Sequence, residues 1–139
     1  MSFDAHTNFA YATVALPPSP GISGTSLVAT GAGTIFPGPP YNAVVWPVGQ
    51  QVKTINAEVV RITGNVGDTL TIVRTQEGST ARSIIAGDQI AVAVTAKTLT
   101  DIEGAVSGIT LSSLGAATVA TTGSYNDLIN QPTFTVNGA

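Results

Sequence analysis

The sequence has no cysteine, little charge and no long apolar run, and each absence excludes a class of protein. Without cysteine, the chain cannot form disulfide bonds or thiolate metal sites. Only 9% of its 139 residues are charged, against roughly a quarter in ordinary soluble domains. No segment approaches the roughly 20 consecutive apolar residues of a membrane-spanning helix, so we expect no membrane insertion.

Basic residues are also scarce. Five Lys and Arg stand against eight Asp and Glu, for a net charge of −3. A nucleic-acid partner requires a basic patch that neutralises phosphates, so we expect no nucleic-acid binding. The first 20 residues lack a basic n-region, which predicts no signal peptide. So few charges favour a chain that buries much of its surface against copies of itself or against other proteins.

The charged residues that are present are concentrated in the middle of the chain. Eleven of the thirteen lie between Lys53 and Glu103. We therefore predict an N-terminal arm over residues 1–30, a compact β domain over residues 31–106 and an extended C-terminal segment over residues 107–139. The near absence of charge in the two outer segments predicts that they make intersubunit or attachment contacts. The side chains expected to make them are Phe9, Tyr11, Tyr125, Leu128 and Phe134.

The clearest local pattern is a β-hairpin over residues 57–73. Side chains alternate with a period of two and many are β-branched, as in half-buried strands. One face of the first strand carries Glu58, Val60 and Ile62. One face of the second strand carries Leu70 and Ile72. The Gly- and Asn-containing segment 64–68 predicts the connecting turn.

Shorter patterns flank the hairpin. They predict strands over 9–15, 26–30, 41–48 and 88–95 and a single helix over 95–106. Thr98 or Thr100 would cap this helix, with Asp101 and Glu103 in its first turn, where acidic side chains favour the helix dipole. The fold class is therefore mainly β: a small antiparallel β-sandwich or barrel-like domain with extended N- and C-terminal arms and at most one short helix.

A polar corner follows the hairpin and is the main candidate site. Its members are Arg74, Gln76, Glu77, Gly78 and Thr80. A catalytic site would need a general acid/base pair in a pocket that excludes water, and the sequence indicates neither. As a structural corner, Gln76 and Glu77 would satisfy loop N–H groups, and Arg74 or Arg82 would pair with Glu77. Gly78 would take a positive φ. We interpret the corner as structural.

Other candidates for chemistry have simpler explanations. His6 is the only histidine and lies in an exposed terminal segment. The segment Gly31-Ala32-Gly33 runs into prolines instead of opening a helix, as a phosphate-binding loop does, so it predicts a turn. Asp101 and Glu103 lack the context of a calcium loop. We therefore expect no catalytic residue, no metal and no cofactor, and the protein is predicted not to be an enzyme.

Two groups of segments resemble parts of bacteriophage proteins. The first comprises Phe36-Pro37, Val44–Pro47, Ala57–Thr63, Asp68–Ala81 and Gly87-Asp88. It resembles a module that is often the N-terminal domain of tail fibres in tailed bacteriophages. The second, residues 117–133, is similar to a segment that follows such domains in many fibres. Together they span roughly the second two thirds of the chain.

The resemblance implies a non-enzymatic virion protein that functions in host attachment. Because long fibres continue into a shaft and a receptor-binding tip, whereas this sequence ends at Ala139, we expect a short tail fibre or a fibre/baseplate adaptor. The resemblance also implies a homotrimer that contacts other tail or baseplate proteins. The principal alternative is a capsid decoration (cement) protein that contacts capsid proteins and stabilises the head. An enzyme is a third alternative.

Overall fold

Six antiparallel strands and two helices form the part of the chain that the structure describes. The computed structural model describes residues 3–110, 113–114, 123 and 138. The strands are β1 (Tyr11–Leu16), β2 (Ser26–Thr30), β3 (Tyr41–Trp46), β4 (Glu58–Val66), β5 (Thr69–Gln76) and β6 (Gln89–Ala91). The helices are α1 (Ala32–Ile35) and α2 (Ala96–Ser107). The mainly β fold class is confirmed, with the single-turn α1 as an additional element.

The strands close into a barrel. Their order is β1-β2-β5-β4-β3-β6, and β6 pairs with β1 to complete the ring. The predicted hairpin is β4–β5, in which Val66 pairs with Thr69 across the turn and Ile62 pairs with Ile72. The register shifts twice along this pair, first between Val59 and Arg61 and again between Ile62 and Gly64. Such bulges increase strand bending, which a closed barrel of six strands requires.

The barrel interior is filled by the inward side chains of alternate residues. The buried hydrophobic residues are Ala10, Ala12, Val14, Leu27, Ala29, Ala32, Phe36, Tyr41, Ala43, Val45, Val60, Ile62, Leu70, Ile72, Ile84 and Ile90. Five of the sixteen are alanines, and small side chains of this kind fit a narrow barrel. On β4 the predicted face is confirmed, because Glu58, Val60 and Ile62 are all 0% exposed. A carboxylate therefore lies on the same face as the core.

The N-terminal third of the chain is part of this barrel. Strand β1 pairs with β2 and β6, and β2 pairs with β5. Val14 and Leu27 are buried in the core. Residues 11–30 therefore belong to the domain, and the boundary predicted at residue 31 does not separate an arm from it.

The chain divides into two compact units, Met1–Asp101 and Ile102–Ala139. The boundary between the units falls within α2. The helix predicted over 95–106 is confirmed, and its observed bounds differ from the predicted ones by one residue at each end. Within the described ranges, no helix is long and apolar enough to cross a membrane.

The prediction that Gly31-Ala32-Gly33 opens no helix is wrong, because Gly31 is the N-cap of the single-turn helix α1, which ends before the first proline of this segment, Pro37. The N–H groups of Gly31 and Gly33 donate hydrogen bonds of 3.0 Å each to the two carboxylate oxygens of Asp68. These bonds lower the pKa of Asp68. A Cβ atom on Gly33 would lie 2.6 Å from the carbonyl carbon of Gly67, so only glycine permits this close approach. The loop's N–H groups thus bind a carboxylate of the β4–β5 turn.

Candidate functional site

The polar corner is built around a buried ion pair between neighbouring strands. Glu58 of β4 has a fully buried side chain, and the side chain of Arg74 on β5 is 8% exposed. Arg74 donates two parallel hydrogen bonds, from Nε to Glu58 Oε1 at 2.8 Å and from Nη2 to Glu58 Oε2 at 2.7 Å. This bidentate geometry is the strongest form of an arginine–carboxylate pair.

Two backbone N–H groups complete the coordination of the Glu58 carboxylate. Thr75 donates to Oε1 at 2.9 Å and Arg82 donates to Oε2 at 3.0 Å. Burial by itself would raise the pKa of Glu58. The hydrogen bonds from Arg74, Arg82 and Thr75 outweigh burial and hold this pKa below its ordinary value. Glu58 is therefore ionised near neutral pH, with four donors on its two oxygens.

The remaining donors of Arg74 bind backbone carbonyl groups. Nη1 donates to the carbonyl oxygens of Gly21 at 3.0 Å and Gly24 at 3.3 Å, and Nη2 donates to that of Arg82 at 2.6 Å. A guanidinium has five N–H donors, and five hydrogen bonds are present. Arg74 thus connects β4, the proline-containing loop after β1 and the loop after β5. We call Glu58, Arg74 and these backbone partners the buried corner.

A second ion pair supports the loop that follows β5. Arg82 Nη1 donates to Asp88 Oδ2 at 2.6 Å, and the N–H of Ile85 donates to the same oxygen at 2.9 Å. The Asp88 side chain is 1% exposed. Asp88 also precedes β6, so this pair holds the loop against the strand that closes the barrel.

The corner residues predicted from the sequence do not all have the hydrogen-bond partners expected of them. Gly78 has a φ of 73°, which confirms its predicted role. Gln76 donates from Nε2 to the carbonyl oxygen of Arg74 at 2.9 Å, so it binds a C=O and not the loop N–H group expected of it. Thr80 is exposed and makes no side-chain hydrogen bond to the described residues.

The pairing predicted for Glu77 is wrong. Arg74 pairs with Glu58 and Arg82 pairs with Asp88, so neither arginine contacts Glu77. The reason is that Glu58 lies on the inward face of β4, where an unpaired charge would be costly. One signal could have identified Glu58: it is an acidic residue on the apolar face of a strand.

Ser79 is a further corner residue that the sequence analysis did not identify. Its Oγ accepts a hydrogen bond of 2.9 Å from the N–H of Val59 and donates at 2.8 Å to the carbonyl oxygen of Gln76. The hydroxyl therefore takes the place of a strand partner where the register of β4 and β5 shifts.

Glu77 instead binds the N-terminus of α2. Its Oε2 accepts a hydrogen bond of 3.1 Å from the N–H of Lys97, and its Oε1 accepts one of 2.6 Å from Asn42 Nδ2. Partial burial opposes the charged form, but hydrogen bonds from Thr95, Asn42 and Lys97 lower the pKa of Glu77. A negative charge at the N-terminus of a helix interacts favourably with the helix dipole and stabilises the helix.

The prediction that Thr98 or Thr100 caps α2, with Asp101 and Glu103 in its first turn, is therefore wrong. The first turn of the helix contains no acidic side chain, because the helix begins at Ala96 and Asp101 lies beyond that turn. Asp101 pairs with Lys97 at 2.6 Å. Thr100 donates to the carbonyl oxygen of Ala96 within the helix. Glu77, twenty residues before Lys97, supplies the negative charge.

Asn42 extends the contacts of Glu77 to the N-terminal segment. Its Oδ1 accepts a hydrogen bond of 3.1 Å from Arg61 Nη1, and Arg61 forms a bidentate pair with Asp4, in which Nη2 donates to Oδ1 at 2.7 Å. The hydrogen bonds from Arg61 outweigh partial burial and lower the pKa of Asp4. Both side chains are 23% exposed. We call Asp4, Arg61, Asn42 and Glu77 the surface network.

An open groove of about 440 Å³ lies beside Glu77. It is lined by Val44, Val52, Lys53, Thr54, Ala57, Val59, Glu77, Gly78 and Ser79. Glu77 and Lys53 are the titratable lining residues, and both oxygens of Glu77 already accept hydrogen bonds. His6 is exposed. No group of three or more His, Cys, Asp or Glu in the described part of the chain could hold a metal ion.

The predicted contact residues are exposed where the structure describes them. Phe9 is 96% exposed with a φ of 59°. Tyr11 is 49% exposed, and its ring lies 6.2 Å from that of Trp46. Tyr125, Leu128 and Phe134 lie outside the described residues. The intersubunit and attachment role of all five stays a prediction.

Comparison with known proteins does not add to these observations. No protein-family model matches the chain, and no curated protein is detectably similar to it.

Proposed function

We propose that this chain is a non-enzymatic structural protein of a tailed-bacteriophage virion. In this proposal it is a short tail fibre or a fibre/baseplate adaptor that assembles as a homotrimer, attaches to the tail and functions in host attachment. The proposal rests on the resemblance to fibre modules. It also rests on the structural role that the residues of this resemblance have in the barrel.

The observation that carries the proposal is the position of the fibre-like segments in the barrel. Residues 57–63 and 68–81 form most of β4, the turn, β5 and the corner. Their buried charges, Glu58 and Arg74, bind each other and backbone groups, with all five guanidinium donors used. Buried charges that are hydrogen-bonded to each other and to backbone groups hold strands and loops in position. This use of the segments supports a structural module.

The outer surface of the domain supports assembly with other proteins. Several apolar side chains outside the core are more than half exposed, in a chain with 9% charged residues. They include Val48, Val52, Ile55 and Val66. Burial of such side chains between proteins is favourable by roughly 25 cal/mol for each Å² of apolar surface. A particle component that is always assembled tolerates this surface.

Copy number in purified phage particles tests the proposal. We expect quantitative mass spectrometry to find the chain in a small multiple of three copies per particle, and immunogold labelling to place it at the tail. Hundreds of copies with label on the head would instead indicate capsid decoration. Absence of the chain from particles that carry the rest of the tail would overturn a virion role altogether.

A further inference from the structure

Two segments outside the strands contact the barrel through carboxylates of the surface network. The first is residues 3–9, which we call the N-terminal segment. Asp4 is the one residue in it that is not exposed, and its carboxylate binds Arg61 of β4. The second is the first turn of α2, a helix with no buried residue. There the N–H of Lys97 donates a hydrogen bond of 3.1 Å to Glu77. An ionised carboxylate thus ties each segment to the barrel.

Asn42 joins the two contacts through the two ends of one amide group. Its Nδ2 donates to Glu77 Oε1 at 2.6 Å, and its Oδ1 accepts from Arg61 Nη1 at 3.1 Å. The residue is 6% exposed, so water does not replace either partner unless the side chain moves. An amide donates only from its nitrogen and accepts only at its oxygen. A movement of Asn42 away from Glu77 therefore also removes its bond with Arg61.

Glu77 has a backbone conformation that residues with a Cβ atom rarely adopt. Its φ is 52°, in the left-handed region that favours glycine. Such conformations persist where the surrounding contacts hold them, and here the carboxylate is contacted by Asn42, Thr95 and Lys97. Loss of these contacts would allow the backbone to relax. Release of the helix is therefore favoured once the carboxylate loses its charge.

The charged and titratable groups around Asp4 and Glu77 come from four parts of the chain. They are His6 of the N-terminal segment, Lys53 of the groove, Arg61 of β4, and Lys97 and Asp101 of α2. The Lys97 ammonium pairs with Asp101, so this residue binds Glu77 through its backbone. Arg61 lowers the pKa of Asp4, and against the effect of burial three hydrogen bonds lower that of Glu77. Both carboxylates are therefore ionised at neutral pH.

We propose that the surface network is an acid-sensitive latch, which holds the N-terminal segment and the first turn of α2 on the barrel and releases both together. Protonation turns one acceptor oxygen of Glu77 into a hydroxyl donor, so the group no longer accepts from both Asn42 and Lys97. Protonation of Asp4 removes the charge that pairs with Arg61. Because both pKa values are lowered in the closed state, the latch is closed above about pH 5 and opens as pH falls through them.

Exchange of the Lys97 amide hydrogen with water, measured by NMR in the full chain at neutral pH, tests the contact with α2. Glu77→Gln imitates the protonated group, because it keeps a single oxygen acceptor. We expect it to increase the exchange rate roughly tenfold or more. The matched control is Glu103→Gln, which removes an exposed carboxylate from the same helix and should leave the rate unchanged. Equal rates in the unmodified chain and in Glu77→Gln would overturn the latch.

Arg61→Met tests whether the two contacts are coupled. Arg61 donates to Asp4 and Asn42 and makes no hydrogen bond to Glu77 or α2. We nevertheless expect this variant to accelerate exchange of the Lys97 amide severalfold, because Asn42 transmits the loss. The control is Lys53→Met, which removes a cation beside Glu77 and so measures the effect of charge alone. If the two variants change the rate equally, or if neither changes it, the contacts are independent and the proposal is overturned.

An NMR titration from about pH 7 to about pH 3 tests release by acid. We expect the backbone signals of Ala5 and Lys97 to change with one shared midpoint, while Trp46 fluorescence still reports a folded barrel. In Glu77→Gln the Lys97 signal should already lie near its acid position at neutral pH. Two separate midpoints would overturn the joint release. Changes that occur only when Trp46 reports unfolding of the barrel would overturn the latch as a local device.

Discussion

Two of the three arginine–carboxylate pairs among the described residues have the same bidentate geometry and different surroundings. In the buried corner, the Glu58 side chain is fully buried and that of Arg74 is 8% exposed. In the surface network, the side chains of Asp4 and Arg61 are each 23% exposed. Both pairs are bidentate. We therefore expect burial, more than geometry, to determine what each pair contributes to the free energy of unfolding.

Because the Glu58–Arg74 pair is buried, each of its hydrogen-bond partners is needed to offset the loss of contact with water. Removing a charge from water costs several kcal/mol, so Glu58 requires four donors and Arg74 requires carbonyl groups from two loops. These bonds fix the positions of both loops relative to β4 and β5. The Asp4–Arg61 pair retains contact with water and loses little if one partner is removed. Four predictions test this difference, from the largest expected effect to the smallest.

Removal of the buried cation should have the largest effect. Arg74→Met leaves the Glu58 carboxylate buried with two of its four donors, and it removes the bonds to Gly21 and Gly24. We expect a loss of about 3–5 kcal/mol in the free energy of unfolding, measured by urea denaturation with Trp46 fluorescence. The matched control is Arg61→Met in the surface network. Equal losses in the two variants would contradict the comparison.

A methyl group in the loop of the buried corner should have the next largest effect. The Cβ of Gly21→Ala would lie 2.8 Å from Ser83 Oγ and 2.9 Å from the carbonyl oxygen of Ile84. The loop or residues 83–84 must shift, which disturbs the hydrogen bond from Arg74 to the Gly21 carbonyl, at an expected cost of about 1–3 kcal/mol in the free energy of unfolding. Gly38→Ala is the control, because its Cβ would have no neighbour within 4 Å. A Gly21→Ala variant as stable as this control would show that the loop adapts freely.

Acid should weaken the buried corner through Glu58. Its pKa is lower in the folded chain than its ordinary value of 4.5. The unfolded chain therefore binds a proton at a higher pH than the folded chain does. The stabilisation is fully present above about pH 5 and is lost as pH falls through the folded pKa.

Thermal denaturation at a series of pH values measures this effect. Asp4 and Glu77 also have lowered pKa values, so they contribute with the same sign. Glu58→Gln isolates the contribution of the corner, because it should be less stable near neutral pH and lose less stability between about pH 6 and pH 3. Parallel curves for the two proteins would show that Glu58 does not contribute.

The smallest effect is expected in the surface network. Arg61→Met should cost about 1 kcal/mol, because Asp4 keeps contact with water when the cation is removed, and raising the salt concentration to about 1 M should reduce this difference. The measurement is urea denaturation at low and high salt. The loss in Arg74→Met should change little with salt, because the buried pair is screened less. A loss in Arg61→Met that does not depend on salt would contradict the assignment.

Local sequence patterns predicted the structural features that are determined by residues close together in the chain. The alternation along residues 58–62 and 70–72 identified both the hairpin and its buried face. Gly78 was predicted to have a positive φ because a tight corner requires one. The helix near residues 95–106 followed from local composition. In each case the determining interactions lie within a few residues of the chain.

The sequence by itself determined the hairpin, the mainly β class and the presence of a polar corner, because these follow from side-chain period and residue type. Only the tertiary structure decided that residues 11–30 complete the barrel, since a charge-poor strand is equally consistent with burial inside a domain and between subunits. It also decided that Arg74 pairs with Glu58 and not with Glu77. Arg74 is three residues from Glu77 in the chain, but the pairing of β4 with β5 places its guanidinium against the carboxylate that desolvation makes most dependent on a partner.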